Sequence, residues 1–256
     1  MQQPTLSIII ITKNADKTIN NCLNSLKFSN EIIVLDSGSS DRTQEICRQF
    51  TNLVFETDWQ GFGIQKNRAL EKATGDWVLS IDADEEITEE LALEIQTVIR
   101  EEKYTAFYLP RLSNYCGTWI KHGGWYPDYI LRLWKRGTAR FSDEIVHEKV
   151  IVEKGEIGYL KEPLLHYAYD NLESVLEKLN RYSTLGAQMA FEKGKKSSLS
   201  KAMVHGIATF LKSYILRLGF LDGKAGLILA VSNAEGCYYR YLKLMYLGEK
   251  NGVKGN

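Results

Sequence analysis

Two carboxylates one residue apart, Asp82 and Asp84, close the run Gly75-Asp76-Trp77-Val78-Leu79-Ser80-Ile81-Asp82-Ala83-Asp84-Glu85-Glu86. Trp77 to Ile81 is short, apolar and β-prone, so it reads as a buried strand with acids at its end. Carboxylates are costly to bury there without a partner. At the mouth of a parallel sheet they can share a hard divalent cation, Mg²⁺ or Mn²⁺, which takes oxygen ligands and can grip a diphosphate. The competing reading is that they cap the helix starting near Thr88.

Two more constellations lie upstream. Asp36-Ser37-Gly38-Ser39-Ser40-Asp41 joins a strand to a helix. A carboxylate at that strand end can accept from a nucleobase N–H or a ribose hydroxyl, and the small residues let a ligand approach the backbone. Asp41 reads as the start of the next helix. Gln60-Gly61-Phe62-Gly63-Ile64-Gln65-Lys66-Asn67-Arg68-Ala69 opens a helix after a loop. Lys66 or Arg68 can neutralise phosphate there, or form a solvated basic face.

The elements that must hold these residues alternate. Strands are expected at Leu6 to Ile11, Glu31 to Leu35, Val54 to Glu56, Trp77 to Ile81 and Tyr104 to Leu109. Helices are expected over 17–26 with Asp16 as N-cap, 41–50, 62–73 and 88–102. Such alternation implies an α/β fold, a mainly parallel sheet with helices on both faces. Ligands of such sheets bind outside the carboxyl ends of the strands, so Thr12-Lys13-Asn14, Asp36 and Asp82 can converge on one site.

From Asn114 to Glu153 the pattern changes to aromatics, glycines and short strands, among them Ile130 to Trp134 and Ile145 to Val152. Tyr115, Trp119, Trp125 and Tyr126 either pack on a sugar or form a satellite core. A strand near 164–167 and a helix over 172–192 follow. Gly194 to Ser200 reads as a hinge before two amphipathic helices. This places a boundary between residues 1–193 and a helical extension, 194–256.

Charge sorts along the same boundary. From Lys193 onward there are eleven cations and three acids, a net +8, so the preceding residues sum to −8 in a chain of net charge zero. Zero net charge argues against a general nucleic-acid binder. A basic amphipathic extension suits an anionic membrane surface. No stretch of about 18 uncharged apolar residues suggests a transmembrane helix. Met1-Gln2-Gln3-Pro4 has no basic segment of a signal peptide. The four cysteines show no metal-ligand spacing, and a reducing compartment is expected.

In order, the segments Leu6 to Asn14, Glu31 to Asp41, Lys66-Asn67-Arg68 with Gly75-Asp76-Trp77, and Asp82-Ala83-Asp84 resemble the motifs of family 2 glycosyltransferases with the GT-A (Rossmann-like) fold. The resemblance implies inverting transfer from a nucleotide sugar. It gives Asp36 to the base or ribose, Asp82 to the ribose and diphosphate, and Asp84 to the metal. Thr12, Asn14, Lys66 and Asn67 fall on motif positions and are expected to bind the donor. Two departures stand out: Ala15 follows Asn14 where the family often has an acid, and Ser37 replaces the second acid of the usual Asp-Asp-Gly-Ser.

A closer resemblance rests on Arg132 to Gly137, Phe141 to Glu148 and Leu221 to Gly226. These are similar to the bacterial lipopolysaccharide core β-1,4-glucosyltransferases, which add glucose to the first heptose of the inner core. UDP-glucose as donor, a glycolipid acceptor, and a place in the cytoplasm on the inner membrane's inner face are what this implies. The same chemistry on a lipid phosphate or a peptide, and a nucleotide-binding module without catalysis, are the alternatives.

Inversion needs a base facing the acceptor hydroxyl. Asp143, Glu144, His147 and Glu148 are candidates, with Asp143 favoured and Glu148 next. If 141–150 is one strand, Asp143 and His147 share a face and Glu144 and Glu148 the other. His147 can instead complete the metal shell. Arg132 holds phosphate or forms a surface salt bridge, and Trp125 is a candidate sugar platform.

Overall fold

The computed structural model describes residues 3–142 and 148–252. The chain begins β1 (Leu6–Thr12), α1 (Ile19–Asn24), β2 (Glu31–Asp36), α2 (Thr43–Cys47), β3 (Val54–Glu56), α3 (Phe62–Leu70), β4 (Trp77–Asp82), β5 (Glu85–Ile87) and α4 (Glu89–Glu101). It continues through β6 (Ala106–Tyr115), β7 (Thr118–Trp119), β8 (Asp128–Lys135), β9 (Ala139–Phe141), β10 (Val150–Val152), β11 (Ile157–Tyr159) and β12 (Leu164–Tyr169). It ends in α5 (Leu172–Glu192), α6 (Leu199–Leu211), a π-helical turn at Lys212–Leu216, a 3-10 turn at Gly219–Asp222 and α7 (Gly223–Gly252).

The main sheet has the order β3-β2-β1-β4-β8-β6-β12-β5. Its first four strands are parallel, and β8 turns the sheet antiparallel against β4 and β6. Strands covered on both faces read as continuous apolar runs, which is why Leu-Ser-Ile-Ile-Ile-Ile-Thr forms β1. Ile8 and Ile10 pack with Leu23 of α1, Cys47 of α2 and Leu91 and Ile95 of α4. Ile9, Ile33 and Leu35 point the other way, toward Ala69 of α3 and Ala73. Each such fully buried aliphatic side chain stabilises the fold by roughly 1.5–3 kcal/mol. The α/β fold with helices on both sheet faces, and a helical C-terminal region, is as expected.

Thr88 caps α4 as its sequence predicts: its Oγ1 accepts from Leu91 N at 3.1 Å. Thr88→Ala is expected to lower stability by about 1 kcal/mol in urea unfolding. Asp16 does not cap α1, which starts after Thr18 without a side-chain cap. The Asp16 backbone amide donates to Asp41 Oδ2 at 3.2 Å, which ties the turn before α1 to the turn after β2.

The chain divides into two compact units, one of Met1–Arg111 with Asp128–His166, the other of Leu112–Pro127 with Tyr167–Asn256. The boundary expected at 193/194 does not coincide with this division. Within the second unit α5 packs on α7, where Lys243 Nζ donates to Asn180 O, Asn180 Oδ1, Ser183 Oγ and Thr184 Oγ1 at 2.8–3.0 Å. The aromatic loop joins the same unit through a small core of Tyr115, Ile120, Val175 and Leu229. Gly226 lies so close to Gly219 that an added Cβ would sit 1.8 Å from the Gly219 carbonyl oxygen. Gly226→Ala is expected to lower the melting temperature, since backbone rather than a flexible side chain must move. Among the described residues no helix is long and apolar enough to cross a membrane.

Candidate active site

Thr12, Asp36 and Asp82 end three adjacent parallel strands. The register pairs Thr12 with Asp36 and Ile11 with Asp82. This is the convergence that strand ends in a doubly covered sheet produce. Around it, α3 and β8 bring cations that the acids require. Lys66, buried on α3, places Nζ 3.0 Å from Asp82 Oδ1 and 3.0 Å from Glu148 Oε1. Arg132 comes from β8, antiparallel to β4, and its Nη2 donates to Asp82 Oδ2 and, at 3.0 Å, to Glu85 Oε1. Glu85 has no solvent exposure, and its Oε2 accepts from Asp82 N at 2.9 Å. Arg111 extends the series, with Nη1 3.7 Å from Glu85 and Nη2 2.7 Å from Asp128.

The result is a line of alternating charge: Glu148, Lys66, Asp82, Arg132, Glu85, Arg111, Asp128. Enclosure by itself would raise the Asp82 carboxyl, but the charges of Arg132 and Lys66 outweigh it and hold Asp82 well below the ordinary carboxylate range. Burial pushes the Glu85 carboxyl up; Arg132 opposes the rise and Asp82 adds to it. Burial would lower the Arg132 guanidinium, yet Asp82 and Glu85 keep it above its usual value.

This arrangement separates the two acids of the opening motif. Each oxygen of Asp82 meets one cation, Lys66 on Oδ1 and Arg132 on Oδ2. Asp84 is more open, with 38% of its side chain exposed, and its Oδ2 lies 3.5 Å from Nε2 of His166 on β12. A carboxylate beside an imidazole is a donor set that Mn²⁺ and similar cations accept. Among the described residues no group of three or more His, Cys, Asp or Glu is gathered for a metal. Asp84 and His166 are the side chains that would hold such a cation, which would supply charge neutralisation there.

The other expected residues have distinct fates. Thr12 Oγ1 is buried without a hydrogen bond in the described protein. Asn14 adopts φ 51° and staples the β1 loop to the β2 loop: its backbone N donates to Ser39 Oγ at 2.8 Å, and its Oδ1 accepts from Ser40 N at 2.9 Å. Asp36 is fully buried and accepts from Gly38 N, Ser39 N, Ser39 Oγ and Gln44 Nε2, so its carboxylate organises its own turn. Asn67 clamps the end of β9, donating to Phe141 O at 3.0 Å and accepting from Phe141 N at 2.9 Å. Arg132 is neither on the surface nor a lone phosphate ligand; it is the buried cation between Asp82 and Glu85.

Trp125 belongs to the second unit, where it meets Tyr115 and Tyr169 at 5.9 Å between ring centroids, a satellite core. Glu148 reaches the charge line through Lys66. Asp143, Glu144 and His147 lie outside the described residues. Residues 141–150 do not form one strand: Phe141 pairs antiparallel with Val150, and Ser142, Glu148 and Lys149 lie outside strands. The face assignment built on a continuous strand therefore falls.

Sequence reasoning missed Glu85 and His166 as members of the site. A Glu-Glu-Ile alternation between Asp84 and Thr88 marks β5, with Glu85 buried and Glu86 half-buried, and is the one local signal for Glu85. His166 is brought in by the antiparallel pairing of β12 with β5, which no local pattern announces.

The comparisons with known proteins concern the same segment. The model of the family described as Glycosyl transferase family 2 matches residues 7–157. An uncharacterised glycosyltransferase of Rickettsia typhi is 31% identical over 96% of this chain and 88% of its own length. The lipopolysaccharide core biosynthesis glycosyltransferase LpsC of Rhizobium meliloti is 28% identical over 92% of this chain and 93% of its own. The solved structure of S. aureus TarS 1-349 in complex with UDP is 17% identical, with a TM-score of 0.47, covering 97% of this chain and 92% of that one. Since the family match spans more than half of the chain and contains β1, β2, α3, β4 and β8, the chain belongs to glycosyl transferase family 2 and is a glycosyltransferase.

Proposed function

We propose that the protein transfers glucose from UDP-glucose to the inner-core heptose of lipopolysaccharide with inversion, assisted by Mg²⁺ or Mn²⁺. The observation that carries the reading is the division of labour at the end of β4, with Asp82 locked between Lys66 and Arg132 and Asp84 left open beside His166. The cation, when bound, neutralises charge on the departing diphosphate. Asp84 and His166 hold it. Lys66 and Arg132 fix Asp82 toward the ribose and diphosphate, and a preorganised carboxylate of this kind costs no reorganisation during reaction. The buried Thr12 hydroxyl, unpaired in the protein, has a partner once the nucleoside lies over the β1 and β2 ends. Asp36 serves the same surface by holding its turn. The base comes from the segment 143–148.

The acceptor follows from the resemblance to the inner-core enzymes and is supported by the name of the LpsC relative. The basic helical end then meets the anionic inner face of the membrane that carries this acceptor. UDP release from UDP-glucose, with and without Mn²⁺ and with defined heptose-containing acceptors, tests the reading. Metal-dependent release and a glucosylated heptose by mass and linkage analysis are expected. UDP binding without turnover, or transfer only to a lipid phosphate or a peptide, would overturn it. Asp143→Asn and Glu148→Gln identify the base: its variant loses kcat while KM for UDP-glucose holds.

A further inference from the structure

The second unit holds a cavity of about 560 Å³, and every residue that lines it belongs to that unit. Its walls come from the aromatic loop, α5, the end of α6 with the π-helical turn that follows, and α7. The π-helical turn brings Lys212 and Ser213 to the lining, and such turns recur at functional sites. Gly123 and Gly124 of the loop both take positive φ, +66° and +84°. A Cβ on Gly124 would sit 2.1 Å from Arg217 Nη1, so the glycine is what lets that guanidinium lie along the loop. The loop is held there: Asp222 accepts from the His122 amide at 2.8 Å, and the buried Ser213 Oγ donates to Gly123 O at 3.1 Å. Lys212, Arg217 and Arg240 line the cavity, and among the described residues no aspartate or glutamate does. Within the described protein these three side chains form no ion pair. Cations of one sign around a concavity repel one another and focus positive potential into it, and a bound anion relieves both. The half-buried side chains of Trp125, Tyr169 and Asn233 also line it, and none forms a hydrogen bond within the described protein. An indole N–H, a phenol and a carboxamide suit a ligand rich in hydroxyls, whereas a hydrocarbon occupant would leave them unpaired. Tyr182 completes the lining with 55% of its surface exposed, an aromatic face open to the C–H side of a sugar ring.

We propose that this cavity binds a sugar carrying a phosphate, with the phosphate among Lys212, Arg217 and Arg240 and the ring hydroxyls on Asn233 and Trp125. Such a site goes beyond the transfer reaction and needs neither nucleotide nor metal. Saturation-transfer NMR on the full chain tests it, with glucose 6-phosphate, methyl glucoside and inorganic phosphate as probes. Glucose 6-phosphate is expected to bind about ten-fold or more tightly than either fragment, since it alone meets both the cations and the hydroxyl partners. UDP with Mn²⁺ is expected to leave it bound. Arg217→Gln with Arg240→Gln is expected to weaken glucose 6-phosphate about ten-fold or more and methyl glucoside by about two-fold at most. Asn233→Ala and Tyr182→Ala are each expected to weaken both sugars by about three- to ten-fold and to spare inorganic phosphate. The exposed position of Tyr182 keeps the test decisive if the double variant misfolds, and melting curves check every variant. Inorganic phosphate binding as tightly as glucose 6-phosphate, displacement by UDP, or no binding of glucose 6-phosphate overturns the site. So does a folded double variant whose affinity stays within about two-fold of the native protein's. The probes carry no nucleotide, so failure here leaves the transfer reaction to its own test, and failure of transfer leaves this site standing.

Discussion

Asp84→Asn is expected to lower metal-stimulated transfer from UDP-glucose by about 10²–10³-fold, a loss of roughly 3–4 kcal/mol of transition-state stabilisation. Asp82 has Lys66 on one oxygen and Arg132 on the other, and those charges keep it ionised but occupied. The acid at this strand end that remains open is Asp84, with His166 at 3.5 Å. An amide in its place keeps the shape and removes the charge that a hard cation requires. Initial rates of UDP release across a Mn²⁺ titration measure the effect. His166→Ala is expected to shift the half-saturating metal concentration upward by about 10–100-fold with a smaller fall at saturation. A near-normal rate for Asp84→Asn at saturating Mn²⁺ would remove the metal from the mechanism, while leaving the buried charge line as a structural device.

What the sequence made legible is what local pattern encodes. The apolar runs of β1, β2 and β4 place Thr12, Asp36 and Asp82 at neighbouring strand ends, and the acid-rich start of α4 announces its Thr88 cap. α5 runs from Leu172 to Glu192, as its periodicity predicts. The partners of the polar residues were not legible, since they come from pairings far apart in the chain. Arg132 becomes a buried cation because β8 inserts antiparallel beside β4. His166 meets Asp84 because β12 pairs with the short β5. Asn67, on a motif position, spends its amide on the Phe141 backbone, and the reason lies in the position of β9 beside α3. The strand expected at Ile145 to Val152 begins outside the described residues, and within them Val150–Val152 pairs with Ala139–Phe141, a partner no local pattern names. A second unit that recruits α5 and the aromatic loop depends likewise on contacts with α7, which the charge break at Lys193 does not report.

Arg132→Met is expected to destabilise the fold by about 3–5 kcal/mol at pH 7, because it leaves the fully buried Glu85 carboxylate facing the half-buried Asp82 without the cation between them. Methionine fills much of the same volume, so the loss is electrostatic rather than a cavity. In the native protein Asp82 is lowered in the fold. Its contribution to stability is therefore fully present above the unfolded value near 3.9 and is lost only as pH falls through the lower folded value. Glu85 is raised, so it carries the opposite sign: its penalty is absent below the unfolded value near 4.3 and complete above the folded one. Removing Arg132 takes away the charge that lowers both groups, so both titrate higher in the variant. The variant then regains stability as pH falls through the raised Glu85 value, and the gap to the native protein narrows. Urea unfolding at pH 7 and pH 5 reads this directly. A gap that stays constant between the two would mean that the Asp82–Arg132–Glu85 line contributes packing and no electrostatic stabilisation, and the fixed Asp82 of the proposed donor site would need another cause.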